Sequence, residues 1–144
     1  MEKYNEMKTR QSEEFNNFPM FFAFSDKQFE KGMDKIGLTK KDTDKIYSAG
    51  AGGYYKKTDS KNLKNLMSRH ANEMDEAIKA DTIGEGFILN MFDYELSNHE
   101  YCITMDTEDA LDALGISQID IDKNEALQHG LKLAKSNQWN EESC

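Results

Sequence analysis

The sequence predicts an α+β fold: a helix-rich single domain of about five helices with a small sheet that includes a glycine-turn hairpin. Three observations carry that prediction. Apolar residues recur three and four positions apart along several segments, as on the inward face of an amphipathic helix. The run at 18–24, Phe-Pro-Met-Phe-Phe-Ala-Phe, is continuously apolar and rich in aromatics, as in a short buried strand. Pro19 is the only proline, so helices are free to extend elsewhere, and Ala-Gly-Ala-Gly-Gly at 49–53 is the strongest turn signal. At 144 residues the chain suits one domain with a modest core, and no internal repeat or low-complexity linker divides it.

In chain order, residues 1–17 read as an N-terminal helical extension, with Tyr4, Met7 and Phe15 on loose helical spacing. The globular domain spans 18–135, and 136–144 is a polar tail, apolar only at Trp139. After the apolar strand, Ser25 and Gln28 form a capping box that satisfies two orphan amides. Phe29, Met33 and Ile36 then make an inward stripe, ended by Gly37. Two short strands, Lys45–Ser48 and Tyr54–Lys57, flank the glycine turn. Thr58 or Ser60 opens a helix to about Ala80, with Leu63, Leu66, Met67, His70, Met74, Ala77 and Ile78 on its inward face. Asp81-Thr82-Ile83-Gly84 breaks it. A helix at 85–98 turns Phe87, Ile88, Met91, Phe92 and Leu96 inward, and Tyr101–Met105 reads as a short strand. A short acidic helix, Glu108–Leu114, is stopped by Gly115. Asp122 with Glu125 makes a capping box for a last helix through about Ala134, with Leu127, Leu131 and Ala134 inward.

Charge is distributed unevenly. Between Glu73 and Asp122 fourteen acidic residues face one basic residue, Lys79, a net of −13, whereas residues 1–72 carry +4. Duplex DNA bears one charge per ~1.7 Å of axis, so such a block matches the charge of about 22 Å of duplex. This distribution excludes nucleic acid as the expected direct ligand and favours a basic protein partner, one that itself binds nucleic acid. The expected partner-binding residues are Asp106, Glu108, Asp109, Asp112, Asp120 and Asp122. A solvated acidic surface that keeps the chain soluble is the plain alternative.

Catalytic patterns are absent, and a non-enzyme is expected. Gly50-Ala51-Gly52-Gly53-Tyr54-Tyr55 fails as a dinucleotide fingerprint, since Tyr55 stands where the third glycine belongs and a strand follows. A small-molecule or nucleotide-binding module built on Gly52, Gly53, Tyr54, Lys56 and Lys57 is the alternative function, and a housekeeping protein-interaction domain is another. Glu95 and His99, four apart, can share a helix face; a hydrolytic pair is conceivable, but a helix C-terminal histidine beside a carboxylate explains them as well. His70 reads as a hydrogen-bonded boundary residue and His129 as exposed. Cys102 and Cys144 form neither a disulfide framework nor a zinc set. No cofactor or metal is expected. With no apolar run near membrane-spanning length and a polar start, the expected location is the cytoplasm.

Four segments carry a resemblance: Phe18-Pro-Met-Phe-Phe-Ala-Phe-Ser, Asp42 through Tyr54, Gly84-Glu-Gly-Phe-Ile, and Tyr94-Glu-Leu-Ser-Asn-His-Glu-Tyr. Over residues 18–134 the chain resembles an uncharacterised family of small acidic proteins found in gut bacteria, their phages and mobile elements. The resemblance supplies no site residues. It implies a counter-defence role, similar in class to anti-CRISPR proteins that occupy the nucleic-acid-binding surface of a Cas nuclease.

Overall fold

The computed structural model describes residues 2–140. In order the elements are α1 (Tyr4–Asn16), β1 (Met20–Phe22), α2 (Asp26–Lys35), β2 (Ile46–Gly50), β3 (Gly53–Lys56), α3 (Ser60–Ala80), α4 (Phe87–Asn98), α5 (Tyr101–Thr104), α6 (Glu108–Leu114), α7 (Gln118–Asp122) and α8 (Glu125–Asn140). The α+β class is as predicted, but eight α-helices replace the expected five or so among the described residues. Contacts group the residues into two compact units: those up to Arg10 together with those from Glu73 onward, and Gln11–Asn72.

The helical unit is organised by α4. Its apolar residues are not confined to one stripe, and Ile88, Met91, Phe92 and Leu96 are fully buried. A helix apolar on most sides must be covered on most sides. α8 supplies Leu127, Leu131 and Ala134, α6 supplies Ala110 and Leu111, and the last turns of α3 add Met74, Ala77 and Ile78. Tyr4 and Met7 of α1 belong to the same core, so these first residues are structural. Gly84, at φ +92°, lies so close to α8 that a Cβ there would sit 2.1 Å from the Ala126 carbonyl oxygen.

The smaller unit is a three-stranded antiparallel sheet, order β1-β3-β2, with α2 on one face. Phe21 stacks on Tyr54 at 5.5 Å, and Phe29 of α2 meets both rings edge-on. Gly32 lets α2 approach, because a Cβ there would lie 2.0 Å from Phe21 Cδ2. The opposite face carries Met20, Tyr55 and Tyr47, as the register requires.

Five expectations need correction. Of the run 18–24 only Met20–Phe22 is strand: Pro19 sits in a turn closed by Met20 N–H to Phe18 O, and Phe24 N–H donates to Gln28 Oε1 at the start of α2. Tyr101–Met105 is not a strand. Glu100 and Met105 adopt positive φ (55° and 61°) around the single turn α5, which buries Tyr101 and exposes Ile103 and Met105. The capping box lies not at Asp122 and Glu125 but at Ser117 and Asp120, opening α7; Asn124 caps α8 through Leu127 N–H. Finally, α8 runs to Asn140 and buries Gln138, so the tail is helical through 140, and residues 141–144 lie outside those described. Within α3, Met67 is exposed although its spacing placed it inward.

Replacing Gly84 with alanine is expected to cost about 3 kcal/mol or more, combining a left-handed φ with a backbone clash. Gly115→Ala has positive φ but open space around it, and should cost only about 1–2 kcal/mol. Urea unfolding midpoints of the two variants check the difference.

Candidate functional site

The charge asymmetry follows the two units. Gln11–Asn72 holds eleven Lys/Arg against eight Asp/Glu, net +3; the remaining residues hold seven against nineteen, net −12. Within the acidic unit, all six expected partner-binding residues are exposed. α6 turns Ala110 and Leu111 into the core, which leaves Glu108, Asp109 and Asp112 outward. α7 buries Ile121 and thereby exposes Asp120 and Asp122 on either side of it. None of the six makes a salt bridge among the described residues.

Three of these carboxylates also accept local hydrogen bonds, two from the backbone and one from a side chain. Asp106 Oδ1 accepts Glu108 N–H at 2.9 Å, Asp120 Oδ2 accepts Ser117 N–H at 2.9 Å, and Asp122 Oδ1 accepts from Gln118 Nε2 at 2.9 Å. The Ser117 backbone and hydroxyl bonds hold the Asp120 carboxyl below its ordinary pKa. Local bonds of this kind fix the short helices without consuming the charge.

Large apolar side chains intersperse this acidic stretch. Ile103 is 73% exposed, Ile119 64% and Met105 49%. Their exposure is not legible in the sequence, where 101–105 has the composition of a strand and α7 is only five residues long. Once Ile121 points inward, helical spacing forces its neighbour-but-one, Ile119, off that face.

Glu95 and His99 come together as their spacing implied, but inside the protein. Glu95 is fully buried; its Oε1 accepts from Tyr4 Oη at 2.8 Å and from Lys8 Nζ at 2.6 Å. His99, the C-cap of α4, places Nε2 3.3 Å from Glu95 Oε2. The Lys8 ammonium also lies 4.9 Å from the Tyr94 ring centroid. Burial, and then the bond to Glu95, push the Tyr4 phenol well above the usual tyrosine pKa, so it stays a protonated donor. The cluster's hydrogen bonds anchor the start of α1. His70 faces Glu14 at 3.3 Å, and His129 is exposed.

The alternative ligand set does not converge. Tyr54 is in the small core against Phe21, the rings of Phe24 and Phe22 lie over Gly52 and Gly53, and Lys57 Nζ sits 5.1 Å over the Tyr47 ring. Lys56 ends β3, half-buried. Among the described residues no group of three or more His, Cys, Asp or Glu is placed to hold a metal ion, and no helix is long and apolar enough to cross a membrane.

Fold and site thus define a small helix-rich α+β protein in which six exposed carboxylates of the 106–122 stretch, unbridged among the described residues, accompany exposed apolar side chains. The chain belongs to a family of unknown function, DUF7659, whose model matches residues 3–137. No curated protein and no solved structure matches it.

Two outcomes check this chemistry. Lys8→Met should destabilise the protein by about 2–3 kcal/mol, because Glu95 is left buried without its cation. Adding Glu95→Gln should restore part of that loss in the same urea titration. Separately, the lowered Asp120 pKa contributes stability that is fully present above the unfolded aspartate value of about 3.9 and lost as pH falls through the lower folded value. A carboxyl NMR titration should find Asp120 titrating below the unfolded aspartate value, and Ser117→Ala should move it back toward that value.

Proposed function

We propose that this protein is a non-enzymatic binding protein that uses the surface of α6, α7 and the adjoining α5–α6 connection to occupy a basic, nucleic-acid-binding surface of a partner protein. In this reading it works in the cytoplasm as a counter-defence inhibitor of the anti-CRISPR type, carried by a phage or mobile element. A Cas9-type nuclease is the first candidate partner. The supporting observation is the combination of six exposed, unbridged carboxylates with exposed Ile103, Met105 and Ile119 in the same stretch. Acidic groups accelerate encounter with a basic surface and set its orientation, while desolvated apolar anchors supply residence time. A surface serving only solubility has no need of the anchors.

The test is binding kinetics against purified Cas9-type nuclease, preceded by a tagged pull-down from host lysate washed at low and high salt. Reversal of Asp106, Glu108, Asp109 and Asp112 to lysine should slow association by about tenfold or more at low salt, with the difference shrinking at high salt. Ile119→Ser should instead speed dissociation. Unchanged affinity in the charge-reversed protein would remove the acidic surface from the mechanism.

A further inference from the structure

The sheet of the smaller unit has an open edge. β3 is central, so β1 pairs on one side only. Ala23 N–H donates to Gly52 O at 2.9 Å, and the register continues as Phe22 opposite Gly53 and Phe21 opposite Tyr54. Hydrogen-bonded and non-bonded pairs alternate in an antiparallel ladder, so Phe21 bonds to β3 while the N–H and C=O of Phe22 point away from it. Beside this edge runs a cavity of about 470 Å³. All three residues of β1 line it although their side chains alternate between faces, so it receives the strand's edge rather than one face. Phe15 and Asn16 at the end of α1 line it too, and α2 contributes a wall through Gln28, Lys31 and Lys35, which share one helical stripe. Among the described residues no carboxylate lines the cavity and neither lysine makes a salt bridge.

We infer that this groove binds an extended acidic peptide segment, which adds to β1 as a fourth strand between the sheet edge and α2. Strand addition draws its affinity from backbone hydrogen bonds and its selectivity from pockets for alternate side chains. Here the alternation is defined. Side chains directed to the α2 face meet Lys31 and Lys35 and are acidic. Those directed to the opposite face lie beside Phe22, which is 52% exposed, and are apolar. The site is independent of the α6–α7 surface and opposite to it in charge preference.

The probe is a fluorescein-labelled octapeptide of alternating valine and aspartate, titrated into the full chain and read by anisotropy and by amide NMR. Saturable binding is expected, with shifts at Phe22, Lys31 and Lys35 and slowed hydrogen exchange at Phe22 N–H. Lys31→Glu with Lys35→Glu should weaken binding about tenfold or more. Phe22→Pro should abolish it while leaving the far-UV circular dichroism intact, since proline keeps the bonds of β1 to β3 and removes the outward N–H; Phe22→Ala, which removes the ring but keeps that N–H, should only weaken binding. The same peptide N-methylated at alternate residues should not bind; should Phe22→Pro fail to fold, this peptide tests the backbone pairing on the unaltered protein. Equal binding of the methylated peptide, or no loss in the lysine variants, would overturn the inference. So would the absence of binding to the octapeptide at millimolar concentration, or displacement of the bound peptide by oligothymidylate, which would make the edge a nucleic-acid platform instead.

Discussion

A buried carboxylate on the most buried helix is the constraint around which the helical unit is arranged. α4 is apolar on most of its circumference, yet at Glu95 it carries a side chain with no exposure to water. An isolated charge there would cost several kcal/mol, so the fold must deliver a cation and a donor to it. Both come from α1, 87 and 91 residues earlier, as Lys8 and Tyr4. The pairing therefore ties the beginning of the chain to its centre, and Tyr4 adds ring contacts with Phe87 and Tyr94. Such a pair adds specificity of docking more than net stability, since an apolar replacement of matching shape can be as stable. The Glu/His spacing that invites a hydrolytic reading thus falls in the interior: Glu95 Oε1 accepts from both Tyr4 and Lys8, while Oε2 faces His99 Nε2 at 3.3 Å with no hydrogen bond among the described residues.

With that interior settled, the acidity of the helical unit is expressed at its surface. α6 and α7 are seven and five residues long, too short to be stable alone, and depend on Ala110, Leu111 and Ile121 for anchorage. Their exposed carboxylates repel one another, and capping bonds from Glu108, Ser117 and Gln118 offset part of that repulsion. A stretch that maintains this arrangement together with exposed Ile103 and Ile119 combines like-charge repulsion with apolar exposure. A partner that neutralises the charges and covers the isoleucines relieves both.

The long amphipathic elements were legible in the sequence because their period is unambiguous. α2, α4 and the core of α8 fall where Met33, Met91 and Leu131 placed them. The Ser25 cap and the Gly115 stop were legible for the same local reason: each is a residue type tied to one backbone geometry. The misses lie where local composition and tertiary placement disagree. Tyr101-Cys-Ile-Thr has strand propensity, but two left-handed residues bracket it into one helical turn, which no single-residue preference announces. α7 is a five-residue helix whose capping box ends in aspartate rather than the usual glutamate or glutamine. The six carboxylates of the candidate site were readable as charge; their apolar companions were not, because exposure of Ile103 and Ile119 follows from which neighbours the core claims first.

The open edge of β1 bears on how such edges are normally kept safe. Protective lysines usually sit on the edge strand itself, where any incoming strand must bury them, and edges are also blunted by bulges or proline. Here Pro19 precedes the strand and β1 is only three residues long, which limits unselective pairing. The strand's own residues are Met-Phe-Phe, however, and the lysines stand on the opposite wall, on α2. Placed there, they do not block the edge. They leave room for a strand and set its sign, repelling a basic segment and favouring one with carboxylates on alternate positions. An edge shortened against aggregation and walled by unpaired cations is therefore selective rather than closed, and selectivity for one charge pattern is what separates a recognition groove from an unprotected sheet edge.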